Sequence, residues 1–146
     1  MTVNLRPYRR EDLESILDLA NKYAAYDGET SEANLAVTAN FPNGFLVAEV
    51  QGKIVGFAYG YFKEVPEQVL ERWRAKKVGY LELMAVAADH RRRGIGESLI
   101  AKLLAEFKKA GADMVLLDCP AEAVEAKRLY EKMGFDARFY GMKKRI

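Results

Sequence analysis

The sequence predicts one α/β domain spanning residues 1–146, a mixed sheet covered by helices on both faces. Three observations lead there. Apolar runs of strand length recur at 45–50, 53–62, 78–86 and 114–117. Stretches of helical period stand between them, at 11–26 and 94–110, and glycine or proline punctuates most junctions. Half of the residues are hydrophobic and 30% are charged, the balance of a water-facing chain with a real core.

Taken in order, Thr2 to Arg6 alternates and predicts a first strand, stopped by Pro7. Glu11 to Tyr26 predicts a helix with Leu13, Ile16, Leu17, Ala20 and Tyr23 on one face. Asp27-Gly28 ends it, and Thr30 or Ser31 caps a second helix reaching Asn40. After the turn Phe41-Pro42-Asn43-Gly44, strands Phe45 to Val50 and Lys53 to Phe62 are joined by Gln51-Gly52, a hairpin length. Pro66 to Lys76 predicts a short amphipathic helix with Val69, Leu70 and Trp73 on one face, an insertion that suits either a lid or a homodimer contact. Val78 to Val86 is the strongest central strand, a mostly apolar run carrying one carboxylate, Glu82. Gly94 to Ala110 predicts a long helix with Ile95, Leu99, Leu103 and Phe107 facing the core, stopped by Gly111. Met114 to Leu117 is a buried strand, Ala121 to Met133 a helix ending at Gly134, and Phe135 to Ile146 a final strand or pair of strands.

Composition narrows the function. No apolar stretch approaches the ~20 residues that span a bilayer, and Met1 to Arg10 mixes polar and apolar residues, unlike a secretion signal. One cysteine, Cys119, excludes an intramolecular disulfide and a multi-cysteine zinc site, so a cytoplasmic setting and no metal are expected. A net charge of +2 is too small to argue for nucleic acid. The basic clusters 91–93 and 143–145 lack interleaved aromatics, so neither nucleic acid nor membrane is expected as a partner.

The positive charge concentrates where it matters. Val86-Ala87-Ala88-Asp89-His90-Arg91-Arg92-Arg93-Gly94-Ile95-Gly96 is a buried strand followed by a basic, glycine-bearing turn that opens a helix. A helix start leaves backbone N–H groups without partners at the positive end of the dipole, a place that suits phosphate. Gly94 and Gly96 let an anion approach closely. A solvated basic loop is the alternative reading. A dinucleotide fingerprint fails at Leu99, where a third glycine or an alanine is needed, and no Gly-Lys-Ser/Thr loop is present.

Arg91-Arg92-Arg93-Gly94-Ile95-Gly96 resembles the Arg/Gln-x-x-Gly-x-Gly/Ala signature of the GNAT superfamily of N-acetyltransferases, and it sits between a strand and a long helix as that signature does. Ala126-Lys127-Arg128-Leu129-Tyr130-Glu131-Lys132-Met133-Gly134-Phe135 resembles the second family landmark, Ala-x-x-Leu-Tyr-x-x-x-Gly-Phe. The resemblance implies a GNAT-type α/β fold with a splayed pair of parallel strands, here 80–86 and 114–117. It implies acetyl-CoA as acyl donor, with the pyrophosphate on the turn from Arg91 through Arg92, Arg93, Gly94 and Ile95 to Gly96 and Glu97. The pantetheine arm would run along Met84, Ala85 and Val86, and a backbone N–H near Met84 would stabilise the oxyanion.

Acetyl transfer to an amine needs a proton acceptor for the amine and a donor for the departing sulfur. Glu82 is assigned as the base, acting through water, with a structural ion pair as its alternative. Tyr130 matches the family tyrosine that protonates the sulfur; core packing is its alternative. Ala123 departs from the family pattern, where many members carry asparagine. Cys119 reads as a buried small residue, His90 as a surface residue and Phe135 as core. Tyr23, Tyr26, Asp27, Tyr59 and Tyr61 are candidates for the amine pocket. The acceptor stays open among a protein N-terminus, a lysine, a polyamine and a small amine. A non-catalytic acyl-CoA-binding module is the competing function, and the presence of Glu82 and Tyr130 argues against it.

Overall fold

Apolar runs of strand length, most of them buried on both faces, form a single five-stranded sheet ordered β1-β2-β3-β4-β5. The computed structural model describes residues 2–26 and 28–146, with the side chains of 36–39 not described. Strands β1 (Asn4–Pro7), β2 (Phe45–Val50), β3 (Lys53–Lys63) and β4 (Val78–Val86) pair antiparallel. Strand β5 (Met114–Leu117) joins β4 in parallel, which makes the sheet mixed. The β2–β3 turn puts Gln51 at φ 50° and Gly52 at φ 78°, both left-handed, as a tight two-residue hairpin requires.

Helices cover both faces. Helix α1 (Leu13–Tyr23) buries Ile16, Leu19 and Ala20 against Phe45, Val47, Phe57 and Tyr59 on one side. Helix α3 (Ile95–Lys109) buries Ile95, Leu99, Leu103 and Phe107 against Leu46, Ala48, Val55, Ala58 and Leu81 on the other. Each large buried aliphatic or aromatic side chain contributes about 1.5–3 kcal/mol of transfer free energy, so these two seams fix where each helix begins and ends. Helix α4 (Val124–Lys132) lies on the α3 side, where Tyr130 packs against the same cluster. No helix among the described residues is long and apolar enough to cross a membrane.

Several sequence expectations are corrected. The first strand begins at Asn4 and includes Pro7, which is tolerated because it ends an edge strand. The second helix is a 3-10 segment, Glu32–Asn40, whose start is held by Ser31 and Asn34 bonding each other rather than by an α-helical cap. The stop assigned to Asp27 lies outside the described residues. Helix α2 (Glu67–Trp73) packs Leu70 and Trp73 on Ala75, Val78, Tyr80 and Leu116. Residues 135–146 form no strand. A strand needs a ladder partner for its N–H and C=O groups, and this stretch leaves Phe139, Tyr140, Met142 and Ile146 exposed with Lys143, Lys144 and Arg145 among them.

The edge of the sheet is pinned by one charged cluster. Asp12, only 6% exposed, accepts two hydrogen bonds from the Arg6 guanidinium at 2.8 and 2.9 Å and one from the Arg9 backbone N–H at 2.8 Å. Arg6 also donates from Nε to Glu49 on β2 at 2.8 Å. Arg6 holds the Asp12 carboxyl below its ordinary range, more strongly than burial pushes it up. The ionised form is therefore favoured by folding. Its contribution is present above the ordinary aspartate value and is lost as pH falls through the lowered one. Replacing Asp12 with asparagine should lower stability by about 2 kcal/mol at neutral pH. In urea titrations the gap to the unsubstituted protein should narrow below about pH 4.

Candidate functional site

The sheet is incomplete on the β5 side of β4. Strand β4 pairs with β3 along its whole length, but with β5 only from Val78 to Leu81, opposite Met114 to Leu117. Beyond that rung the β5 chain runs into Asp118, Cys119 and Pro120, and proline cannot extend a ladder. The register of β4 against β3 also slips here: Leu81 faces Gly60 and Leu83 faces Tyr59, leaving Glu82 as the extra residue of a bulge. A bulge bends its strand and re-aims a side chain, and here the side chain is the one carboxylate of the strand. From Glu82 to Val86, one edge of β4 therefore has no strand beside it among the described residues.

That edge opens onto a cavity of about 1070 Å³. Met84, Ala85 and Val86 line it along β4, with Glu82 at the bulge. At its far end, Arg91, Arg92, Gly94, Ile95, Gly96 and Glu97 line the start of α3, while Arg93 lies off the cavity. Tyr130 of α4 lines it from the opposite wall. Eleven of the twelve sequence-predicted site residues thus meet around one space, although they come from three different elements.

The start of α3 leaves its first backbone N–H groups without a side-chain cap. Gly94 is its cap, left-handed at φ 77°, and no side chain caps the helix. The first backbone bond of the helix runs from the Ser98 N–H to the Gly94 carbonyl at 3.0 Å, so the preceding N–H groups have no intrahelical partner. A Cβ on Gly94 would meet no protein atom within 4 Å, because the position faces open space. Arg92 is also left-handed, at φ 62°, which folds the turn back toward the helix mouth. Glu97, in the first turn, accepts a hydrogen bond from Lys132 Nζ of α4 at 2.9 Å and ties the two helices together.

Arg91, which lines the cavity, is also engaged by its neighbours. Its Nε donates to the Val86 carbonyl at 3.1 Å, and its guanidinium lies 5.1 Å from the centre of the Tyr23 ring. It braces the turn and links it to the end of α1. His90 is corrected from a surface residue: its side chain is only 15% exposed, and Nδ1 stands 3.0 Å from Asp89 Oδ1. Its 3-10 turn, Ala88–His90, folds it toward the cavity that it helps to line.

The chemistry-bearing groups differ in environment. Tyr130 is largely buried, its ring edge-on to Phe135 at 5.9 Å. Burial, then the neighbouring Cys119 and Tyr26, pushes its phenol up to about 12, so it remains a hydrogen-bond donor at neutral pH. Burial also raises the Cys119 thiol, which points to Pro120 and Ala123 carbonyls rather than to a base. Such a thiol is a poor nucleophile. Glu82 Oε2 accepts from the Tyr61 hydroxyl at 3.3 Å, a tether that the sequence did not reveal because the two residues are 21 positions apart. Tyr23, Tyr26 and Tyr59 line the cavity on the α1 side, whereas Asp27 lies outside the described residues. Asp118 also lines it and was missed; its only sequence signal was its place just after a buried strand.

Residues 11–135 match the family described as Acetyltransferase (GNAT) family. Over 103 residues the chain is 33% identical to the L-2,4-diaminobutyric acid acetyltransferase of Nocardia farcinica, a match covering 70% of this chain and 49% of that protein. The chain thus spans about half the length of that relative. It is 27% identical over 150 residues to the phosphinothricin N-acetyltransferase of Streptomyces viridochromogenes, covering 93% of this chain and 75% of that one. Among solved structures, Chaetomium thermophilum Naa20 in complex with a bisubstrate analogue is similar at TM-score 0.75 and 29% identity, over 90% of this chain and 70% of that one.

Proposed function

This chain belongs to the acetyltransferase (GNAT) family, and on that premise we propose that it transfers an acetyl group from acetyl-CoA to a primary amine. The observation that carries the proposal is the single cavity joining an uncapped helix start, an unpaired strand edge, a carboxylate and a protonated phenol. The residues present fit a long ligand with a phosphate end and an amide arm. The N–H groups after Gly94 would hold the pyrophosphate, with Arg92 supplying charge. The β4 edge from Glu82 to Val86 would pair with the pantetheine amides.

Acetyl-CoA supplies a thioester whose carbonyl carbon is the electrophile. The neutral amine nitrogen forms the new C–N bond, and the C–S bond breaks with its electron pair leaving on sulfur. Glu82 receives the amine proton, directly or through water, from its place on the bulge. Tyr130 gives its phenolic proton to the departing sulfur, which leaves as the free thiol, and the phenolate regains a proton from solvent. Residues 1–146 act as one catalytic domain, in the cytoplasm, where a lone thiol such as Cys119 stays reduced.

Two substitutions separate the parts of this account. Valine at Gly94 must adopt φ near 77°, a conformation that a β-branched residue resists, so the turn should swing its N–H groups away. Calorimetry should then show CoA affinity at least about tenfold weaker, and Gly94→Asn, which tolerates that φ, should lose much less. Unchanged affinity in the valine variant would remove the anion site. Tyr130→Phe should lower kcat about 100-fold with little change in CoA affinity. Because the phenol titrates near 12, kcat should show no loss from its ionisation between neutrality and about pH 10.

A further inference from the structure

The same register that opens the cavity brings two carboxylates together. Leu81 and Leu117 form the last rung between β4 and β5, so the next residue of each strand, Glu82 and Asp118, leaves the ladder side by side. Both line the cavity. Each has a phenol for company. Tyr61 donates to Glu82 at 3.3 Å, and the Tyr80 hydroxyl, raised first by burial and then by the charge of Asp118, faces Asp118. Tyr61 and Tyr80 each sense both carboxylates, so the two acidic groups share one face of the recess and favour a cation between them.

One is already drawn there. Arg138 lies with Nη2 at 4.0 Å from Asp118 Oδ1, its guanidinium 5.4 Å from the Trp73 ring centre and 4.6 Å from that of Phe139. This arginine comes from the stretch after Gly134 that joins no strand. At 4.0 Å the contact is too long for a hydrogen bond, and the two side chains are 41% and 56% exposed, so Arg138 is held loosely and is replaceable.

We propose that Asp118 selects acceptors carrying a second cationic group, and that Arg138 is an internal cation which such an acceptor displaces. This rests on the acetyl-transfer reading above. With the reacting amine at Glu82, a short aliphatic diamine lies across the face of the recess that carries both carboxylates and sets its other ammonium against Asp118. A monoamine leaves Asp118 to Arg138.

The test compares kcat/KM for 1,4-diaminobutane with that for butylamine at saturating acetyl-CoA, following thiol release. The unsubstituted protein should prefer the diamine about tenfold, mostly through KM. Asp118→Asn should bring the ratio close to one, and Asp118→Glu should restore much of it. Arg138→Ala should raise the ratio about threefold, because the competing cation is gone, with the CoA dissociation constant unchanged. CoA affinity measured on each variant reports that it has folded. A ratio unmoved by Asp118→Asn, or lowered by Arg138→Ala, overturns the role of Asp118 while leaving acetyl transfer intact. No thiol release with any amine overturns acetyl transfer and this selectivity together.

Discussion

The structure depends on a ladder that stops early. Strand β4 has a neighbour along all of one edge and along only four residues of the other, because β5 is only Met114 to Leu117 and Pro120 follows shortly after. Backbone N–H and C=O groups in a recess demand partners. From Glu82 onward β4 offers them to whatever enters the cavity. The bulge at Glu82 falls at the same point, so the bend that aims the carboxylate and the parting that frees the backbone are one event in the sheet.

The rest of the molecule holds that gap in register with the helix start. Helix α3 is locked along its length by Ile95, Leu99, Leu103 and Phe107, which sets its first turn at the end of β4. Close packing makes such a seam rigid, so the N–H groups at Gly94 need no reordering to meet an anion. On the opposite face, α1 sends Tyr23 to stack with Arg91, and Arg91 reaches the last carbonyl of β4 at Val86. One arginine thereby joins the turn before α3, strand β4 and the end of α1. Lys132 and Glu97 make a corresponding tie between α4, which carries Tyr130, and the first turn of α3.

Much of this was legible in the residues. Strands at 78–86 and 114–117 were read with their bounds intact, because the first is a long apolar run opened by Lys76-Lys77 and the second lies between Asp113 and Asp118. The long α3 seam followed from side chains four apart, and the basic turn from its glycines. What stayed hidden was pairwise. Whether Glu82 sits in a bulge depends on how β3 counts against β4, and a single strand carries no record of its partner's register. Asp118 looked like any polar residue after a strand until Leu81 and Leu117 proved to be the last rung. Arg91 read as a phosphate ligand by position, whereas its reach to Tyr23 is a tertiary fact. The stretch from Phe135 was misread as strand because its apolar residues suggested a covered face, and no neighbour supplies one.

The central claim is that backbone amides at the mouth of α3 and along the freed edge of β4 are the ligand's partners. Hydrogen exchange resolved to single amides, with and without saturating CoA, tests it most directly. The account predicts protection concentrated at residues 94–97 and 82–86, with the α1 and β1–β2 amides little changed. Protection absent from both segments, or confined to the basic residues near the end of the chain, would contradict it.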